Sequence, residues 1–111
     1  MIYEIRNYHF KPERFDEYKV WAKDKALPFL KQKLDLVGFW AGDDNEVNGA
    51  EMDSLGSANI TWIIRWPDRA TRDEQMATVF TGDEWAEIFK DVPGGMESYL
   101  RMEAKFTEDL L

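Results

Sequence analysis

Three stretches of this chain alternate with a period of two, and their order constrains the fold more than any other feature. In residues 1–10, Ile2, Glu4, Arg6, Tyr8 and Phe10 point one way, and Tyr3, Ile5, Asn7 and His9 point the other. In residues 59–66, Ile60, Trp62, Ile64 and Trp66 oppose Thr61, Ile63 and Arg65. In residues 98–106, Leu100, Met102, Ala104 and Phe106 oppose Tyr99, Arg101, Glu103 and Lys105. Alternation rich in β-branched and aromatic residues predicts strands. A shorter strand is expected at residues 36–41, where Gly38 lets something pack close to the backbone.

The segments between these strands repeat at helical spacing. Lys11-Pro12-Glu13 opens the first helix, with proline pre-set for the first turn and an acid near the positive end of the dipole. Phe15, Tyr18, Ala22, Ala26 and Phe29 then form a stripe that Trp21 and Leu30 widen. Pro28 should kink or restart this helix before it ends near Leu34. A second helix is predicted over residues 68–80 and a short one over 84–90, with Asp83 as its N-cap and Trp85, Ile88 and Phe89 turned inward. Residues 42–58 read as a loop rich in Gly, Asn, Asp and Ser. Asp44, Glu46, Asn48 and Gly49 resemble the start of a calcium loop, but Leu55 stands where a bidentate Glu is required, so an acidic solvated loop is the plainer reading.

The order β-α-β-β-α-β is the ferredoxin-like arrangement, an α+β fold. A chain of 111 residues fits one domain, 1–111, and five Trp, seven Phe and four Tyr supply the bulk for a core. The apolar faces, taken as Tyr3 and Ile5 with the 60–66 and 100–106 sets, should pack against the helices. That assigns Glu4, Arg6, Tyr8, Thr61, Ile63, Arg65, Arg101 and Glu103 to the opposite face. Such a face either meets water or packs against a second copy about a two-fold axis.

Several classes are disfavoured. A net charge of −8 argues against nucleic acid and against an anionic membrane surface. The absence of cysteine removes disulfide and thiolate chemistry, and a single histidine rules out a two-His metal site within one chain, so no metal and no cofactor is implied. No apolar run reaches the roughly 20 residues of a membrane span. The chain starts directly in a strand with no leader pattern, so a cytoplasmic location is expected.

Several segments together resemble a known family. Ile2-Tyr-Glu-Ile-Arg-Asn-Tyr8, Lys11-Pro12, Leu36-Val-Gly-Phe-Trp40, Trp62-Ile-Ile-Arg-Trp66, Asp68 and Gly82-Asp-Glu-Trp85 are similar, in this order, to a NIPSNAP-family domain. That family lies in the dimeric α/β-barrel superfamily, so the resemblance implies a homodimer whose two sheets form a barrel. It implies no single reaction. Relatives include cofactor-free monooxygenases, small isomerases or decarboxylases, and haem-degrading enzymes, and fold does not choose among them. Two features depart from the family pattern: the long acidic 42–58 loop, and His9 near a strand end, which the alternation places on the helix side.

The functional candidates follow from chemistry. An arginine fork holds a carboxylate or similar anion, so Arg6, Arg65 and Arg101 are substrate-binding candidates with Trp40 as an apolar wall. Tyr8 and Glu4 are catalytic candidates, Tyr8 donating to an oxyanion and Glu4 taking a proton if burial raises its pKa. The leading expectation is a dimeric barrel protein that binds a small organic molecule, with cofactor-independent chemistry on a small acid or aromatic metabolite as its enzymatic form. The alternative is a non-enzymatic structural or protein-interaction module with a filled barrel and an acidic docking loop.

Overall fold

The computed structural model describes residues 1–49 and 53–111; Ala50, Glu51 and Met52 of the acidic loop lie outside the described residues. Four antiparallel strands form one sheet in the order β2-β3-β1-β4. They are β1 (Ile2–Phe10), β2 (Leu36–Ala41), β3 (Ile60–Trp66) and β4 (Tyr99–Thr107). Helices α1 (Phe15–Trp21), α2 (Leu27–Lys33), α3 (Arg69–Val79) and α4 (Asp83–Phe89) cover one face. The ferredoxin-like expectation is met, with each element within a residue or two of its expected bounds.

The first helix is divided by a π turn over Ala22–Ala26, where the Leu27 N–H reaches back five residues to the Ala22 carbonyl. Pro28 has no N–H to give Asp24, and its ring crowds that carbonyl, so the wider turn takes up the mismatch. α2 restarts with Pro28 in its first turn. Asp68 caps α3 by accepting from the Thr71 N–H at 2.7 Å. Gly82, not Asp83, is the N-cap of α4.

The register corrects the expected faces. Ile2 pairs with Trp66, Glu4 with Ile64, Arg6 with Trp62 and Tyr8 with Ile60. Directly paired residues point to the same side of a sheet. Glu4, Arg6 and Tyr8 therefore sit on the helix face, while Tyr3, Ile5 and Asn7 share the opposite face with Arg65, Ile63 and Thr61. Both faces of β1 carry apolar residues, so alternation alone could not choose. The choice is made by partners far along the chain that neutralise Glu4, described below.

Two further corrections follow from irregular pairing. A shift between His9 and Phe10 leaves Leu100 as an extra residue on β4, since His9 pairs with Arg101 and Phe10 with Tyr99. Tyr99 thereby turns toward the helices and Leu100 outward, the reverse of strict alternation. His9 lies on the face away from the helices, buried beside Gly56 and Ser57 of the loop. The loop crosses that face far enough for Asp53 to pair with Arg101 on β4. Gly38 does allow a close approach, and what approaches is Trp40: a Cβ on Gly38 would lie 2.3 Å from that indole ring.

Candidate functional site

The sheet and the helices do not close completely on each other. A cavity of about 310 Å³ remains between them. Arg6, Tyr8, Phe39 and Trp62 form its sheet side. Tyr18 and Trp21 of α1, Met76 of α3, Phe80 just after it, and Trp85 and Phe89 of α4 form its helix side. Small Ala26, at the end of the π turn, leaves room, and the exposed Met96 and Met102 line it as well. The indole of Trp21 fastens α1 to α4 by donating to the Ile88 carbonyl at 3.1 Å.

Beneath this aromatic chamber lies an ionic network centred on Glu4, which is fully buried. Its Oε1 accepts from Trp66 Nε1 at 3.0 Å and from Arg72 Nε at 2.9 Å. Its Oε2 accepts from Arg6 Nε at 2.8 Å and from Arg72 Nη2 at 2.9 Å. Burial alone would push the Glu4 carboxyl up, but the hydrogen bonds and charges of Arg72 and Arg6 outweigh it and hold the group below its ordinary value. Two donors on each oxygen leave Glu4 no free lone pair in the plane of its carboxylate. The condition attached to a proton-accepting role for Glu4, a carboxyl raised by burial, is not met in this arrangement.

Arg6 stands between this network and the cavity. Its Nη1 donates to the Tyr8 hydroxyl at 2.8 Å, and its guanidinium carbon lies 5.4 Å from the Trp62 ring centre. Burial opposes its charge, yet Tyr8 and Glu4 outweigh burial and hold Arg6 more firmly protonated than usual. Arg72 extends the network outward: it shares Asp73 with Arg69, and both guanidiniums stack on Phe106, at 4.9 and 3.7 Å respectively. Burial pushes the Tyr18 and Tyr99 phenols above their ordinary values, so both stay neutral.

The expected site residues are divided by this arrangement. Glu4, Arg6 and Tyr8 come together, Arg6 and Tyr8 at the cavity floor and Glu4 beneath it. Arg65, Arg101 and Trp40 lie on the other face of the sheet, and their expected company with Arg6 is corrected. Arg65 pairs with Asp35 at 2.8 Å, Arg101 pairs with Asp53 and Glu103, and Trp40 is half exposed. The cavity lies within one chain, on the helix side of its sheet. Its remaining lining was readable only as core. Arg72 was overlooked; the clue was a cation at position 72 in line with Met76, Val79 and Phe80 on one helical stripe. Among the described residues, no three His, Asp or Glu side chains converge as a metal site requires, and no helix is long and apolar enough to cross a membrane.

The fold has known counterparts. An uncharacterized NIPSNAP domain protein from Burkholderia xenovorans matches with a TM-score of 0.76 and 16% identity, over 98% of this chain and 94% of that one. A NIPSNAP family protein of unknown function from Agrobacterium tumefaciens matches with a TM-score of 0.75 and 22% identity, over 96% and 86% of the two chains. An antibiotic biosynthesis monooxygenase matches more distantly, with a TM-score of 0.57 and 12% identity over the full length of both chains. No family model matches the sequence, and no curated protein sequence does. The chain thus has the fold of NIPSNAP-domain structures.

Proposed function

We propose that this chain is a single-domain small-molecule-binding protein whose ligand, a compact and largely aromatic organic molecule, occupies the cavity between sheet and helices. The observation that carries the reading is the cavity itself. Its size of about 310 Å³ falls at the small end of ligand pockets, which run from about 300 to 1,000 Å³. Aromatic rings make up most of its lining, and its one charged group, Arg6, approaches from the sheet. Such walls suit a flat apolar body by stacking and dispersion. The fold shared with a monooxygenase is compatible with cofactor-independent chemistry on such a molecule, but the saturated Glu4 removes one candidate base. Binding is therefore the supported activity.

A neutral aromatic probe tests the reading. N-phenyl-1-naphthylamine should bind and quench the fluorescence of Trp21, Trp62 and Trp85, which line the cavity. Ala26→Phe, which fills the space with the fold retained by circular dichroism, should weaken binding at least tenfold. Absent binding to the unaltered protein, or undiminished binding to A26F, overturns the proposal.

The same reading includes a homodimer formed by the face away from the helices. Half-exposed Trp40 and the partly exposed Ile5 and Ile63 supply apolar area there, and the pairs Arg65–Asp35 and Arg101–Glu103 supply balanced charge. Native mass spectrometry should show a dimer at micromolar concentration that Trp40→Glu dissociates. A monomer at every concentration excludes this assembly and leaves the cavity reading intact.

A further inference from the structure

We infer that the cavity selects a carboxylate, holding the anion of an aromatic acid that arrives already ionised; this rests on the ligand-binding reading above and names its ligand class. Three observations converge on it.

The first is an excess of donors. Trp62 is 4% exposed and lines the cavity, and its indole Nε1 is buried without an acceptor among the described residues. A buried N–H left unpaired is destabilising, so such a group calls for a partner. Arg6 spends Nε on Glu4 and Nη1 on Tyr8, and its Nη2 has no acceptor among the described residues. The Tyr8 hydroxyl accepts from Arg6, which leaves its own proton to be given away. Three neighbouring side chains therefore carry hydrogens with no acceptor among the described residues, Arg6 and Tyr8 on the cavity floor and the Trp62 N–H sealed beside it. An oxygen-rich acceptor satisfies them, and a carboxylate brings two oxygens, one for Arg6 Nη2 and one for the Tyr8 hydroxyl.

The second is unbalanced charge. Arg6, Arg69 and Arg72 form one connected cluster whose counter-ions among the described residues are Glu4 and Asp73. One positive charge is uncompensated, in a chain whose net charge is −8. Arg6 is the member that faces the cavity, and its side chain is 19% exposed. A monoanion placed there would balance the cluster away from bulk solvent, where a charge pair is worth more than it is at the surface.

The third is the missing base. Glu4 is saturated by four donors, and the sole histidine, His9, lies on the other face of the sheet. No carboxylate or imidazole among the described residues is placed to remove a proton inside the cavity. A phenol, with an ordinary pKa of about 10, would enter neutral and stay so. A carboxylic acid, ionised well below neutral pH, enters as the anion the site fits. That sets phenols aside in favour of a group already ionised in water, of which the carboxylate is the planar one.

The decisive comparison uses ligands of one shape and different charge at pH 7: 1-naphthoate, the neutral 1-naphthalenemethanol, and 1-naphthol. The unaltered protein should bind naphthoate at least tenfold more tightly than either neutral molecule. Arg6→Met should abolish that preference while the neutral probe N-phenyl-1-naphthylamine still binds. Trp62→Phe, which removes the indole N–H with little change in bulk, should weaken naphthoate by about fivefold and leave naphthalenemethanol unchanged. A merely structural role for Trp62 would weaken both ligands alike, and that result overturns its part in recognition. Equal binding of all three ligands overturns carboxylate selection while leaving the cavity as a binding site. Tighter binding of naphthol than of naphthoate overturns the claim that the ligand arrives ionised. If neither these ligands nor the neutral probe binds, the cavity reading fails and this inference with it.

Discussion

Glu4→Gln is expected to lower unfolding stability at pH 7 by about 3 kcal/mol, although it only exchanges one oxygen for an NH₂ group and hardly alters the volume. The amide keeps one acceptor oxygen but faces Arg6 and Arg72 with an NH₂ group, and it leaves two guanidiniums sharing no buried anion. Removing one partner from a buried ionic network costs about 3–5 kcal/mol. The low end applies because the Arg6 and Arg72 side chains keep 19% and 16% of their surface in water. The loss should depend on pH in a definite direction. The Glu4 carboxyl is held below its ordinary value in the folded protein. Its contribution is therefore present above the ordinary carboxylate range, near pH 4, and is lost as pH falls through the depressed folded value. Urea titrations should show a wide gap between the two proteins at pH 7 that narrows below about pH 4. A gap under about 1 kcal/mol at pH 7, or one that persists unchanged into acid, would show that the network does not hold β1 against the helices.

That network explains why the sequence was legible up to a point and no further. The strands, the helices and their order follow from local periodicity, and a residue's own neighbours carry that information. Which face of β1 turns inward does not. Ile2, Tyr8 and Phe10 recommend one face, Tyr3 and Ile5 the other, and a buried Glu4 looks prohibitive until Trp66 and Arg72 are brought to it from 62 and 68 residues away. The same limit applies to Tyr99, whose direction depends on one extra residue opposite the end of β1. The cavity was illegible for a different reason. Tyr18, Trp21, Trp85 and Phe89 have the spacing of core residues, and an aromatic ring that lines a space has the same sequence signature as one that fills it. Arg6 and Tyr8 were recognisable as chemistry from their residue types. Their separation from Arg65, Arg101 and Trp40 required the register.

Tyr18→Ala is expected to be more damaging still, at about 4 kcal/mol, within the range of about 3–5 for deleting a buried large aromatic. The ring is 2% exposed and packs against Phe10, Trp21 and Tyr99, with centres 4.5, 5.5 and 6.3 Å away. It joins α1 to the end of β1 that faces the β4 bulge and at the same time lines the cavity, so its loss removes a wall that little else can replace. Tyr18→Phe keeps the ring and should cost under about 1 kcal/mol at pH 7. The two substitutions separate packing from the hydroxyl, and alkaline pH separates them again. Burial raises the Tyr18 phenol above its ordinary value. The unfolded chain therefore loses that proton first, near pH 10, while the folded protein must retain it. The stabilising effect is complete below the ordinary value and disappears as pH rises toward the elevated one. The unaltered protein should lose stability steeply above pH 10, and Y18F should lose it less steeply, with Tyr99 supplying the remaining slope. Equal slopes for the two proteins would mean that the Tyr18 hydroxyl reaches water. The cavity would then be wetter at that wall than its ring lining indicates, and the stacking argument for an aromatic ligand would rest on the other rings, Trp62, Trp85 and Phe89 among them.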